Sequence, residues 1–167
     1  ELRVGIADAV PKPVACLLLE PALQHKQPFK VICREWKLDS LLAELAVHRL
    51  DLVVSDVPAP ASLSVRVYTH LLGRSGVAFF AAPGLLQATG WTVRRARQAF
   101  PACLAGMPLL LPSAQTALRP RLDAWLRQHA LAPPVAAEFD DSALLKAFGR
   151  EGRGVFAAPA VLAHAGG

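Results

Sequence analysis

The chain has 167 residues, of which 53% are hydrophobic and 19% charged, and its 18 Lys+Arg against 13 Asp+Glu give a formal charge of +5. So much apolar and so little charged sequence excludes a disordered chain. A chain of this length buries roughly 70% of its unfolded surface on folding, so a core needs neither disulfides nor zinc.

In chain order, Leu2 to Ala7 reads as a short apolar strand ending at Asp8, with Pro11 and Pro13 in the turn before a helix from about Val14 to His25. Pro21 interrupts that helix pattern as a kink or a late start. Pro28 to Trp36 alternates as a strand does. Leu38, Leu41, Leu42, Leu45 and Ala46 then fall at i, i+3, i+4, i+7 and i+8, the spacing that gathers one buried helical face. Leu50 to Val54 is a buried strand closed by Ser55, Asp56 and the proline-rich Val57 to Pro60, and Val65 to Leu72 and Gly76 to Ala82 read as two more. Gly73 to Ser75 marks a boundary, which gives lobes of residues 1–76 and 77–167. The second lobe alternates again: strand Pro108 to Leu111, helix Thr116 to His129, strand Val135 to Phe139, helix Ser142 to Arg150 and strand Gly154 to Ala157. Short apolar runs alternating with helices predict an α/β fold with parallel sheets.

The uncharged stretches 75–93 and 98–118 are the only membrane candidates. Pro83, Gly84 and Gly90 break the first, and Pro101, Pro108 and Pro112 the second, which a spanning helix of about 20 apolar residues does not tolerate. No membrane contact is expected. Cys16, Cys33 and Cys103 are odd in number and widely spaced, and no signal peptide opens the chain, so a reducing cytoplasm fits. The start at Glu1 reads as that of a fragment. Most of the net positive charge lies after residue 77, where arginines are dispersed from Arg94 to Arg153 without a basic stripe, which makes nucleic-acid binding by this segment a weak reading.

Catalytic motifs are missing. No G-x-S-x-G elbow, phosphate-binding loop or H-E-x-x-H pair occurs, and the five histidines lie far apart. Cys16 falls on a predicted apolar helix face and Lys12 has no identifiable base beside it, so no enzyme and no cofactor is expected. His48 and His129 suit helix C-termini, and Gly149 or Gly152 suits a helix stop beside Arg150 and Arg153. The strand ends are more suggestive, because open α/β sheets bind ligands outside the carboxyl ends of parallel strands. Those ends carry Ala7, Asp8 and Ala9, then Ser55 and Asp56, then Ser113, Ala114, Gln115 and Thr116, and finally Phe139, Asp140 and Asp141. Asp8, Asp140, Asp141, Ser113 or Thr116 could each simply cap a helix. As a set they offer the carboxylate and hydroxyl oxygens a hard cation prefers.

LDSLLAELAVHRLDLVVSDVPAP (Leu38 to Pro60), MPLLLPS (Met107 to Ser113), LRPRLDAWLRQH and GRGVFAAP (Gly152 to Pro159) resemble, in order and spacing, the effector-binding domain of LysR-type transcriptional regulators. Within that family, LLAELAVHRLDLVVSDVPAP and SVRVYTHLLGRSGVAFFA look closest to an activator that responds to sodium and lithium ions. The resemblance implies two Rossmann-like lobes similar to type 2 periplasmic binding proteins, with a small-molecule or ion inducer in the cleft between them. The family's cleft positions fall on the same four strand-end loops. It also implies a DNA-binding winged helix-turn-helix outside these residues and a returning segment beyond Gly167 that completes the first lobe. Full-length assembly into a homodimer or tetramer follows, with side-by-side packing of the helix after Pro13 and the strand Pro28 to Trp36. Leu17, Leu18, Leu19 and Leu23 would serve that contact or the core equally well. Many relatives bind organic anions, whereas four aspartates here favour a cation. A solute-binding component of a transport system, which shares the fold, is the rival reading.

Overall fold

A computed structural model describes residues 1–63 and 66–161, and the chain divides into two compact units, Glu1–Arg74 and Ser75–Gly167. The first unit contains β1 (Leu2–Ala7), α1 (Lys12–Leu23), β2 (Val31–Trp36), α2 (Leu38–Ala46) and β3 (Leu52–Val54). Its three strands are parallel in the order β2-β1-β3, with Leu2 opposite Val31 and Ile6 opposite Val54. Each parallel neighbour requires a crossover, and α1 and α2 supply the two. Val4, Ile6 and Ala7 of β1 are buried with Leu41 of α2 and Leu50, so the central strand carries the apolar run while the edge strand β2 leaves Cys33 to Trp36 exposed. Helix α1 begins at Lys12 with Pro13 in its first turn and runs through Pro21 to Leu23. Leu19 packs on the core, whereas Leu17 and Leu23 are 63% and 69% exposed.

The second unit runs β4 (Val77–Phe80), α3 (Pro83–Ala88), α4 (Val93–Ala99), a 3₁₀ turn (Ala102–Gly106), β5 (Leu109–Pro112), α5 (Leu118–Gln128), β6 (Val135–Phe139), α6 (Ser142–Arg150) and β7 (Phe156–Pro159). β5 and β6 are parallel, and a bridge from Leu109 to Val155 ties β5 to the residue before β7. β5 is buried on both faces: Leu109 and Leu111 meet Leu122 and Leu126 of α5, while Leu110 meets Leu145 of α6 and Phe156. A strand covered by helices on both sides must be apolar at consecutive positions, which is why Leu109, Leu110 and Leu111 do not alternate with polar residues.

Three expectations change. β4 and β7 pair antiparallel, Val77 opposite Pro159, so the second unit is mixed rather than wholly parallel. Val65 lies outside the described residues, and Arg66 to Leu72 forms no strand: it has no partner ladder, and Tyr68 is 94% exposed. Residues 83–106, to which no helix or strand was assigned above, contain two short helices and the 3₁₀ turn. Thr92, whose hydroxyl accepts the Arg95 N–H at 3.2 Å, was the available signal for α4.

The helix ends agree with the sequence. His129 caps α5 with its Nδ1 2.9 Å from the Trp125 carbonyl, and His48 follows α2 with φ of 58°. Gly152, with φ of +76°, follows α6 in the left-handed conformation that glycine adopts without strain.

Candidate functional site

In the first unit the strand-end residues come together by register. Ile6 stands opposite Val54, so Asp8 and Asp56 both lie two residues beyond a paired position at the carboxyl ends of neighbouring parallel strands. The Asp8 N–H donates to the Trp36 carbonyl at 3.0 Å, which draws the end of β2 to the same rim. Asp8 does not cap α1. The residue at that position is Pro11, with no side-chain cap, and the Asp8 carboxylate is exposed. The Ser55 hydroxyl accepts the Val57 N–H at 3.1 Å and so folds Asp56 into a turn, where it too is exposed. Ala7 is buried and Ala9 half-buried. Among the described residues no ion pair joins Asp8 or Asp56 to a basic side chain, whereas Asp51, Glu44 and Glu35 in the same unit are all paired.

In the second unit the Ser113 N–H donates to the Phe139 carbonyl at 2.8 Å, joining the loop after β5 to the end of β6. The Thr116 hydroxyl donates to the Ser113 carbonyl at 2.9 Å and closes the turn in which Ala114 and Gln115 are exposed. Asp141 caps α6, its Oδ1 accepting the Ala143 and Leu144 N–H groups at 2.7 and 3.1 Å, as the capping alternative anticipated. Asp140 is exposed beside it, and the Phe139 ring packs against Phe148 with centroids 5.3 Å apart.

Arg119 braces this loop pair and was not singled out in the sequence. Its guanidinium donates to the Pro112 carbonyl at 2.8 Å and meets Asp123 and Glu138, each at 3.1 Å. Hydrogen bonding to Glu138, reinforced by Asp123, raises its basicity further above the usual guanidinium range. The i,i+4 spacing of Arg119 and Asp123 was visible beforehand, but the contact with β6 required the fold. Lys12, read from sequence as lacking a partner base, is 3.1 Å from Glu35. Among the described residues no three His, Cys, Asp or Glu side chains gather to hold a metal ion, so neither acidic rim by itself forms a cage for a hard cation.

Two α/β units with hydroxyl and carboxylate side chains at the carboxyl ends of their parallel strands have the layout in which open α/β sheets bind ligands. The chain belongs to the LysR substrate-binding domain family, whose pattern it matches over residues 1–166. It is 32% identical over 161 residues to the transcriptional activator protein NhaR of Escherichia coli (strain K12), covering 96% of this chain and 50% of that protein, and equally so to NhaR of Shigella flexneri. The chain thus spans half the length of these relatives. Among solved structures it is similar to the reduced regulatory domain of OxyR2 from Vibrio vulnificus, with a TM-score of 0.67, 15% identity, and coverage of 99% of this chain and 73% of that one. It is also similar to the effector-binding domain of QuiR in complex with shikimate, with a TM-score of 0.62, 12% identity, and coverage of 98% and 76%. These likenesses establish the fold as that of LysR effector-binding domains, the two-lobed type 2 periplasmic-binding-protein-like architecture.

Proposed function

We propose that this chain is the non-enzymatic sensing part of a cytoplasmic transcriptional activator, and that its inducer is a cation held by the strand-end loops. The residues assigned to it are Ala7, Asp8, Ala9, Ser55 and Asp56 in the first unit and Ser113 to Thr116 with Phe139 to Asp141 in the second. The observation that carries this reading is that Asp8 and Asp56, both exposed, follow the carboxyl ends of adjacent parallel strands with no ion pair to a basic side chain among the described residues. A relative such as QuiR holds shikimate, a carboxylate, in its effector domain. Here two uncompensated negative charges repel such an anion and attract sodium, lithium or a small organic cation.

Signal output follows from differential affinity, because an inducer shifts a conformational equilibrium only as far as it prefers one state over another. DNA is contacted through a winged helix-turn-helix outside these residues, and a second copy docks on the exposed α1 and β2 edge. Support for that edge is the exposure of Leu17, Leu23 and Trp36 on two adjacent elements of one unit.

Trp36 is half exposed and its carbonyl receives the Asp8 N–H, so its fluorescence reports on the rim. Titrations with NaCl, LiCl and KCl at constant ionic strength are expected to give a saturable change for one ion that Asp8→Asn and Asp56→Asn each abolish. Identical curves for all three salts, or an unaltered response in both variants, would remove the cation reading.

A further inference from the structure

We propose that the outward face of α4 is a docking surface for the phosphate backbone of duplex DNA, a sequence-independent contact made by Arg94, Arg95 and Arg97. Between Arg74 and Arg119 these three are the only charged residues, so the whole charge of that long stretch sits on one helix of seven residues. Arginines that look dispersed along the second half of the chain are concentrated here.

Packing and helical spacing fix which way they face. Ala96 and Ala99 turn inward, against the cluster of Leu85, Leu86, Cys103 and Leu104. Arg94 and Arg97, three residues apart, are neighbours on the opposite side, and both are exposed. Arg95 flanks them, its guanidinium carbon 5.6 Å from the centre of the Trp91 ring. The helix beneath is anchored at both ends. The Thr92 hydroxyl accepts the Arg95 N–H at 3.2 Å, the Trp91 N–H donates to the Leu86 carbonyl at 2.8 Å, and the Cys103 thiol donates to the Ala96 carbonyl at 3.4 Å. A fixed base reduces the ordering that docking costs.

The neighbouring elements leave the charge uncompensated. α3 and the 3₁₀ turn, which pack beside α4, contain no charged residue. Among the described residues no ion pair joins Arg94, Arg95 or Arg97 to a carboxylate, whereas Arg3, Arg49 and Arg119 are each paired. Three free guanidinium groups attract a polyanion, and their planar fork matches phosphate oxygens. A protein partner would need an apolar centre to desolvate. On this helix Val93 is the one exposed large apolar side chain, and the centre of the face is Arg94 and Arg97. DNA interfaces are instead polar and strongly positive. This contact goes beyond the sensing role proposed above and does not depend on the identity of the inducer.

The test measures binding of this chain to fluorescein-labelled duplexes of two unrelated sequences by fluorescence anisotropy, with KCl varied. Neutralising three phosphates gives a log–log salt slope of about −2.7, so a fourfold rise in KCl is expected to weaken binding about 40-fold. The Arg94→Gln/Arg97→Gln variant is expected to lose at least about tenfold in affinity at the lowest salt and to flatten that slope by about 1.8. Arg150→Gln/Arg153→Gln removes the same charge from exposed positions that flank Glu151, and is expected to lose no more than about twofold, having given up no phosphate contact. All four side chains are exposed, so the variants should fold, and far-ultraviolet circular dichroism verifies it. Poly-L-glutamate competes in place of an acidic protein. Any of five outcomes would overturn the proposal: no wild-type binding at the lowest salt, unaltered binding in the α4 variant, an equal loss in the Arg150/Arg153 variant, a strong preference for one duplex sequence, or tighter binding of polyglutamate than of DNA.

Discussion

Asp51 shows how one side chain can join two elements. Its Oδ2 accepts the Arg3 backbone N–H at 2.7 Å and Nε at 3.2 Å, and its Oδ1 accepts Nη2 at 2.8 Å. The Arg3 side-chain hydrogen bonds, aided by the backbone one, lower the Asp51 carboxyl from 3.8 to about 2. A depressed carboxylate contributes stability above its unfolded value and loses it on acidification through the folded value. The stability difference between wild type and Asp51→Asn should therefore be constant from pH 5 to 7 and shrink between pH 4 and 2. Urea unfolding across that range checks it, and a difference independent of pH would contradict the assignment. Gly149 is a second case. A Cβ there would collide with the Phe156 ring, which is buried and stacked on Phe80 with centroids 5.5 Å apart and so cannot swing aside. Gly149→Ala should lose roughly 1–3 kcal/mol through overpacking, despite the helix propensity of alanine, in a denaturant titration. Neither role is readable from sequence: Asp51 and Arg3 are 48 residues apart, and the glycine looked like a helix stop, a task that falls to Gly152.

Among the elements, α2 was legible because its apolar spacing is uninterrupted, and the fold places Leu41 and Leu42 fully inward. Leu41→Ala should cost about 2–5 kcal/mol, since its side chain has no exposed surface and the surrounding β1 core cannot collapse into the void. β6 and α6 also fall where predicted, Val135–Phe139 and Ser142–Arg150, because Asp141 supplies a strong start signal between them. That residue separates two roles. Asp141→Asn should keep the cap and stability, whereas Asp141→Ala should lose about 1 kcal/mol in thermal unfolding. α3 and α4 escaped notice because six and seven residues give too few turns for a periodic pattern to stand out.

On the scale of the whole molecule, the exposed leucines of α1 distinguish a surface contact from core packing. Leu17 is largely exposed and leaves the first-unit core intact. Leu17→Lys should therefore preserve circular dichroism and thermal stability while shifting sedimentation toward the monomer, and a wild-type chain that is monomeric at every concentration would refute pairing on this edge.

The sequence by itself determined the α/β class, the family and most helices and strands, because burial on one helical face or both faces of a strand imposes a local pattern that survives without coordinates. Tertiary structure decided what depends on register and pairing. It set the antiparallel β4–β7 ladder and left Arg66 to Leu72 without a partner strand. It brought the loops that carry Asp8 and Asp56 to the carboxyl ends of neighbouring strands and paired Lys12 with Glu35 across one groove. A strand's partner and the opposite wall of a groove lie tens of residues away in the chain, and no local periodicity encodes which of them will meet.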